Sequence, residues 1–158
     1  MGAAKMTNRL EAPEDWVAGL LGQLEPESRI RLTRIVGQSL RRSQQQRIIA
    51  QQNPHGSKYA PRKRRNLRGK MARVKRKVKM FQKLRTPRFL KAHIKMNAIN
   101  IGFTGRIARI ARVHQHGLRD SAEVGTPNVE YKQRELLGFT DADLESIRDS
   151  LLQHLSIF

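Results

Sequence analysis

The chain is 158 residues long with 38% hydrophobic content and no cysteine, which suits one domain with a modest core and excludes disulfides, thiolate metal sites and cysteine nucleophiles. It carries 32 Lys+Arg against 13 Asp+Glu, a formal +19 at pH 7, and residues 28–119 hold 27 of those cations and none of the acids, between flanks that sum to −8. A field of that size repels itself, so a polyanion or acidic protein neighbours should complete it.

Residues 12–24 (APEDWVAGLLGQL) read as a short helix: Pro13, Glu14 and Asp15 suit a first turn, and Trp16, Leu20 and Leu24 repeat at spacing four. Its apolar run is too short to span a bilayer, and Glu11, Glu14 and Asp15 break a signal-peptide pattern. Pro26 opens a longer helix to about Gln52, near 40 Å at roughly 1.5 Å per residue. Its apolar stripe runs through Leu32, Ile35, Val36, Leu40 and Ile48 or Ile49 but weakens from Arg41 to Arg47, around Ser43-Gln44-Gln45-Gln46. The far end is therefore expected to project from the core or to pack on another subunit.

Asn53-Pro54-His55-Gly56-Ser57 is a loop, since Pro54 forbids continued helix and Gly56 permits a left-handed turn. Residues 58–79 then place twelve basic side chains in 22 positions. The stretch 54–85 reads as a basic arm or insertion within the single domain. Alone it is expected to be disordered or to fray, whereas with its charge screened by a partner Leu67, Met71, Val74, Val78 and Phe81 could line one face of a basic amphipathic helix, and the sequence does not choose between the two states. Its expected assembly or polyanion contacts are Arg62, Lys63, Arg64, Arg65, Arg68, Lys70, Arg73, Lys75, Arg76, Lys77 and Lys79.

Residues 88–94 and 98–103 look like the two strands of a hairpin, the second alternating Ile99 and Ile101 with Asn100 and Gly102. The run RIARIARVHQH puts Ile107, Ile110, Ala111 and His114 on one side of a helix that Gly117 stops. A loop at 124–128 leads to a short strand over 129–131. A final helix follows, opened by Thr140 with Asp143 three later and striped by Leu144, Ile147, Leu151, Leu152 and Leu155. The fold class is α+β: a small sheet, hairpin plus short strand, flanked by a long N-terminal helix, a central helix and a C-terminal helix.

Catalytic chemistry finds little to build on. Paired carboxylates exist only near the ends, where Asp141, Asp143, Glu145 and Asp149 suit a helix start and a solvent face. His114 and His116, two apart, point to different sides of a helix, and His55, His93 and His154 have no metal-ligand spacing. His114 is expected as a packed or capping histidine. Gly102-Phe103-Thr104-Gly105 lacks a phosphate-loop pattern. No enzyme activity, catalytic residue, metal, cofactor, small-molecule substrate or membrane partner is expected. A sequence-nonspecific nucleic-acid binder is the alternative reading. It rests on charge alone, because only Tyr59, Phe81 and Phe89 supply aromatic rings across 58–95.

Three stretches together resemble the phage virion morphogenesis, or tail completion, proteins of contractile-tailed temperate phages. One is Ser43-Gln44-Gln45-Gln46-Arg47 leading to Gln51-Gln52-Asn53-Pro54-His55-Gly56 and Tyr59-Ala60-Pro61-Arg62-Lys63. The second is Phe103-Thr104-Gly105-Arg106 with Ala111-Arg112-Val113-His114-Gln115-His116-Gly117-Leu118. The third runs from Tyr131 through Arg134-Glu135-Leu136-Leu137-Gly138-Phe139-Thr140. The structural residues of these motifs are Asn53, Pro54, Gly56, Arg112, His114, Gly117, Arg134 and Gly138. The resemblance implies a structural protein that completes the tail at its head-proximal end and helps join it to the filled head. It implies a homo-oligomeric, usually sixfold, ring that contacts tail tube or sheath and neck or connector proteins. Surplus positive charge would face the packaged DNA or an acidic neck partner. The protein would reside in the tail–neck region of the virion, and in the host cytoplasm during assembly.

Overall fold

A computed structural model describes residues 22, 24–62, 79–95, 98–121 and 124–156. The helix expected over 12–24 lies outside the described residues except for Gly22 and Leu24, as does the basic arm between Arg62 and Lys79.

Helix α1 (Pro26–Ala50) starts on proline, with Glu27 in its first turn, and ends at Gln51, whose backbone is left-handed (φ 60°). It is the rod of the molecule, about 37 Å long at 1.5 Å per residue. The hairpin β1 (Leu90–Lys95) and β2 (Ala98–Phe103) lies across it, paired in register from Leu90 opposite Phe103 to Lys95 opposite Ala98. The first strand starts two residues later than expected, because 86–89 forms a turn in which the Phe89 and Leu90 amides donate to the Thr86 carbonyl. Gly37 lets α1 sit close on the hairpin: a Cβ there would lie 3.2 Å from Ile94 Cγ1 and 3.3 Å from Ile99 Cγ2.

Helix α2 (Ile107–His116) follows, stopped by Gly117 at φ 63°. Strands β3 (Arg119–Ser121) and β4 (Asn128–Glu130) then pair with each other. The short strand therefore does not extend the hairpin, as a single small sheet would require, but forms a second two-stranded sheet. Helix α3 (Asp141–Leu155) opens with the capping box read from sequence, Thr140 accepting from the Asp143 amide and Asp143 from the Thr140 amide.

Two apolar clusters hold these elements. Leu24, Leu32, Val36, Leu40 and Leu151 join the first half of α1 to α3. Ile48, Tyr59, Leu84, Leu90, Ala111 and Leu136 join its second half to the hairpin and α2. Ile101 touches both clusters. The far end of α1 is thus inside the protein, correcting the expectation that it projects or packs on another subunit: Ile48 is fully buried, and Gln44 and Arg47 are only 3% and 7% exposed. Ile35 and Leu152, assigned to apolar stripes, are instead exposed. Phe81 is not helical. It lies in a run of turns with φ 64°, so it is no part of the amphipathic helix drawn as far as Phe81, whose other residues lie outside the described residues.

Candidate functional site

Residues 131–140 have no regular secondary structure, yet Arg134 is only 4% exposed and Leu136 fully buried. Buried backbone must be hydrogen-bonded, and here side chains from three directions replace a neighbouring strand. From α1, Gln44 donates Nε2 to the Gly138 carbonyl at 2.9 Å and accepts from the Gly138 amide at 3.1 Å. One turn on, Arg47 donates to the carbonyls of Gly138 (3.0 Å) and Leu136 (3.2 Å). From α2, Gln115 Oε1 accepts from the Leu136 and Leu137 amides at 2.8 and 2.9 Å, and its Nε2 donates to the Leu137 carbonyl at 2.9 Å. From the loop after α1, Asn53 Oδ1 accepts from the Glu135 amide at 2.9 Å.

The loop docks through shape as well. Pro54 covers Gly138 so closely that a Cβ there would lie 2.5 Å from Pro54 Cγ. Asn53 also closes its own turn, donating Nδ2 to Ser57 Oγ at 2.9 Å, and Gly56 makes that turn at φ 91°. Gln51 repeats the amide device, taking the Met80 amide at 2.8 Å and giving to its carbonyl at 3.0 Å, which pins residue 80 to the end of α1.

Arg134 is the keystone at the other end. Its guanidinium donates to the carbonyls of Ala60 (2.7 Å), Pro61 (2.9 Å) and Lys132 (3.3 Å), and Nη1 donates to His114 Nδ1 at 3.1 Å. The planar fork lets one side chain tie three chain segments together. His114 must be neutral at Nδ1 to accept. Burial first, and then the Arg134 and Arg62 cations, push its pKa down to about 4. Its ring lies in an edge-on row: Tyr59 to Phe81 at 5.8 Å, Phe81 to His114 at 4.8 Å, and His114 to Tyr131 at 5.1 Å between centroids. Burial raises the Tyr59 pKa to about 12, so its hydroxyl stays a donor, to the Glu135 carbonyl at 3.3 Å.

The Arg47 guanidinium is buried 3.8 Å from the Asp143 carboxylate, which also accepts from Ser43 and caps α3. Desolvation lowers the Arg47 pKa, opposed by Tyr59, Asp143 and Glu135. Start of α3, far half of α1 and segment 131–140 are one polar unit.

Of the motif residues read from sequence, Asn53, Pro54, Gly56, His114, Gly117, Arg134 and Gly138 meet in this assembly; Gly117 packs against Gln133, with a would-be Cβ 3.2 Å from its Cβ. Arg112 is exposed and takes no part. Gln44, Arg47 and Gln115 are the residues that sequence reasoning did not single out. Their signal was present: Gln44 and Arg47 continue the spacing of Leu32, Val36 and Leu40 along the inner face of α1, so the stripe runs on with polar members. Of the basic set, Lys63, Arg64, Arg65, Arg68, Lys70, Arg73, Lys75, Arg76 and Lys77 lie outside the described residues. The flanking Arg62 and Lys79 are exposed on the rim of a cleft of about 940 Å³ floored by Phe81, Ile110, His114 and Tyr131. Among the described residues no group of three His, Asp or Glu side chains could hold a metal, and no helix is long and apolar enough to cross a membrane.

A site whose amide and guanidinium groups bond mostly to the protein's own backbone is a structural junction in a small α+β protein. The sequence profile of the phage virion morphogenesis family matches residues 8–156, and the chain belongs to that family. It is 40% identical over 149 residues to the tail completion protein S of Escherichia phage P2, covering 94% of this chain and 98% of that protein. No solved structure matches it.

Proposed function

We propose that this chain is a structural virion protein that completes the phage tail at its head-proximal end and helps join tail to head, acting as a homo-oligomeric, sixfold ring without catalysis. The observation that carries the reading is the kinship, over nearly the full length of both chains, with a protein called tail completion protein S. The junction around 131–140 supports it, because its amides and guanidinia are consumed in holding the subunit together. The segregated charge supports it too, since a basic middle between acidic flanks suits copies that meet head to tail and neck or tail-tube proteins of opposite charge. Arg62 and Lys79, exposed on the cleft rim, would take part in that docking, whereas Tyr59 and Leu84, inside the arm drawn over 54–85, are already packed in the core. Assembly would occur in the host cytoplasm and the product would sit in the tail–neck region of the virion.

The test is complementation. A phage with this gene disrupted should accumulate filled heads and unjoined tails by electron microscopy, and the chain supplied in trans should restore joined particles. Normal particles without it would overturn the reading. A stable monomer that binds duplex DNA tightly at about 0.3 M salt, where weak phosphate contacts are screened, would favour the nucleic-acid-binding alternative.

A further inference from the structure

Helix α1 buries one face and leaves the opposite one open. At 100° per residue Arg31, Arg34, Ile35, Gln38 and Arg42 fall on one outward stripe, all exposed, with Ile35 51% accessible. None of the three arginines meets an acid among the described residues. Helix α3 carries net opposite charge on its outward side: Asp141, Glu145 and Asp149 recur there at spacing four, with Arg148 among them and Leu152 at 48% exposure.

The two stripes match when the helices run antiparallel. Ile35 and Arg42 are seven residues apart, as are Glu145 and Leu152, so both pairs span about 10 Å of helix. Placing Leu152 on Ile35 puts Glu145 on Arg42, brings Asp149 to the Gln38 amide and leaves Arg148 beside Ser39. The contact cannot form within one chain. Helices α1 and α3 already pack through their inner sides, where Leu32, Val36 and Leu40 meet Leu151, so the outward stripes face away from each other.

We infer that the outward face of α3 in one copy docks on the outward face of α1 in a second copy, with Leu152 against Ile35 and Glu145 against Arg42. Each copy keeps one unused stripe of each kind, so the contact is heterologous and propagates until rotation closes it into a ring. The inference rests on the self-assembly proposed above and assigns it two surfaces.

The cysteine-free chain allows a direct test. Chains carrying Ile35→Cys and Leu152→Cys are purified separately, mixed and treated with a mild oxidant. The mixture should give a disulfide-linked dimer and neither variant alone should. Charge reversal is the second readout: Arg42→Glu or Glu145→Arg should each weaken self-association roughly tenfold by sedimentation velocity, and the two together should restore it. Because all four positions are exposed, circular dichroism should be unchanged. Wild-type protein that self-associates without the mixed crosslink removes this interface and leaves the ring. Wild-type protein that stays monomeric, and adds to tails only as single copies, removes both. An Arg42→Glu defect that Glu145→Arg does not correct would show that the basic face serves another acidic partner, and would overturn the assignment.

Discussion

Replacing Gly138 by alanine should destabilise this protein only because Pro54 is there. Gly138 does not have a positive φ, so its backbone accepts an L side chain, and Gly to Ala at such a site ordinarily stabilises by about 0.4–1 kcal/mol through the unfolded chain. The added methyl, however, would sit 2.5 Å from Pro54 Cγ and 3.2 Å from its Cβ, and a proline ring has no rotamer into which to retreat. Loop and segment must separate, which also stretches the bonds from Gln44 and Arg47 to the Gly138 amide and carbonyl. Overpacking of this kind costs about 1–3 kcal/mol. Urea denaturation read as a shift in midpoint at constant slope measures the effect. In a Pro54→Gly background the same Gly138→Ala change should be neutral or stabilising, because both close atoms have gone. The cycle should therefore show a coupling of at least about 1 kcal/mol, whereas effects that add within about 0.5 kcal/mol would refute the contact as the reason for glycine.

Three further outcomes are expected. The folded pKa of His114, near 4, is depressed below its unfolded value, so the unfolded chain binds the extra proton first; stability should be fully present above about pH 6.5 and should fall as pH drops towards 4. His114→Gln, which keeps an acceptor for Arg134 but cannot titrate, should flatten that part of the pH–stability profile; an unchanged slope would remove His114 as its source. Arg134→Lys should fail to replace arginine, losing about 2–3 kcal/mol by urea titration, because a point charge cannot reach the Ala60, Pro61 and Lys132 carbonyls and His114 together. Neutralising Arg62, Lys63, Arg64 and Arg65 together should lower the yield of infectious particles with the melting temperature unchanged, and a wild-type yield would show that the cluster is not an assembly surface.

Local chemistry was legible where it acts over a few residues. Pro26, the Asn53–Ser57 turn, the hairpin, Gly117 and the Thr140–Asp143 box all announce themselves by steric or hydrogen-bonding rules that span one turn of chain, and all are present in the structure. The second half of α1 was misread because burial was equated with apolar side chains. Gln44 and Arg47 are buried for the opposite reason: they face a segment that lacks a strand partner, and only an amide or a guanidinium can satisfy its free carbonyls and amides. A short strand is legible at 129–131, one residue from the Asn128–Glu130 of the structure, yet its partner is not, since a three-residue strand carries no information about which edge it joins.

Sequence by itself determined the α+β class, the helices, the hairpin and the segregation of charge, which follow from composition and from periodicity along the chain, while the motif residues came from the resemblance to a family. Tertiary structure decided what those motifs are for. Asn53, Pro54, His114, Arg134 and Gly138 are separated by up to 85 positions, and only their convergence on residues 131–140 shows that they serve one junction. The physical reason is that an irregular buried segment must take its hydrogen bonds from wherever side chains can reach it, and reach is a property of three-dimensional packing.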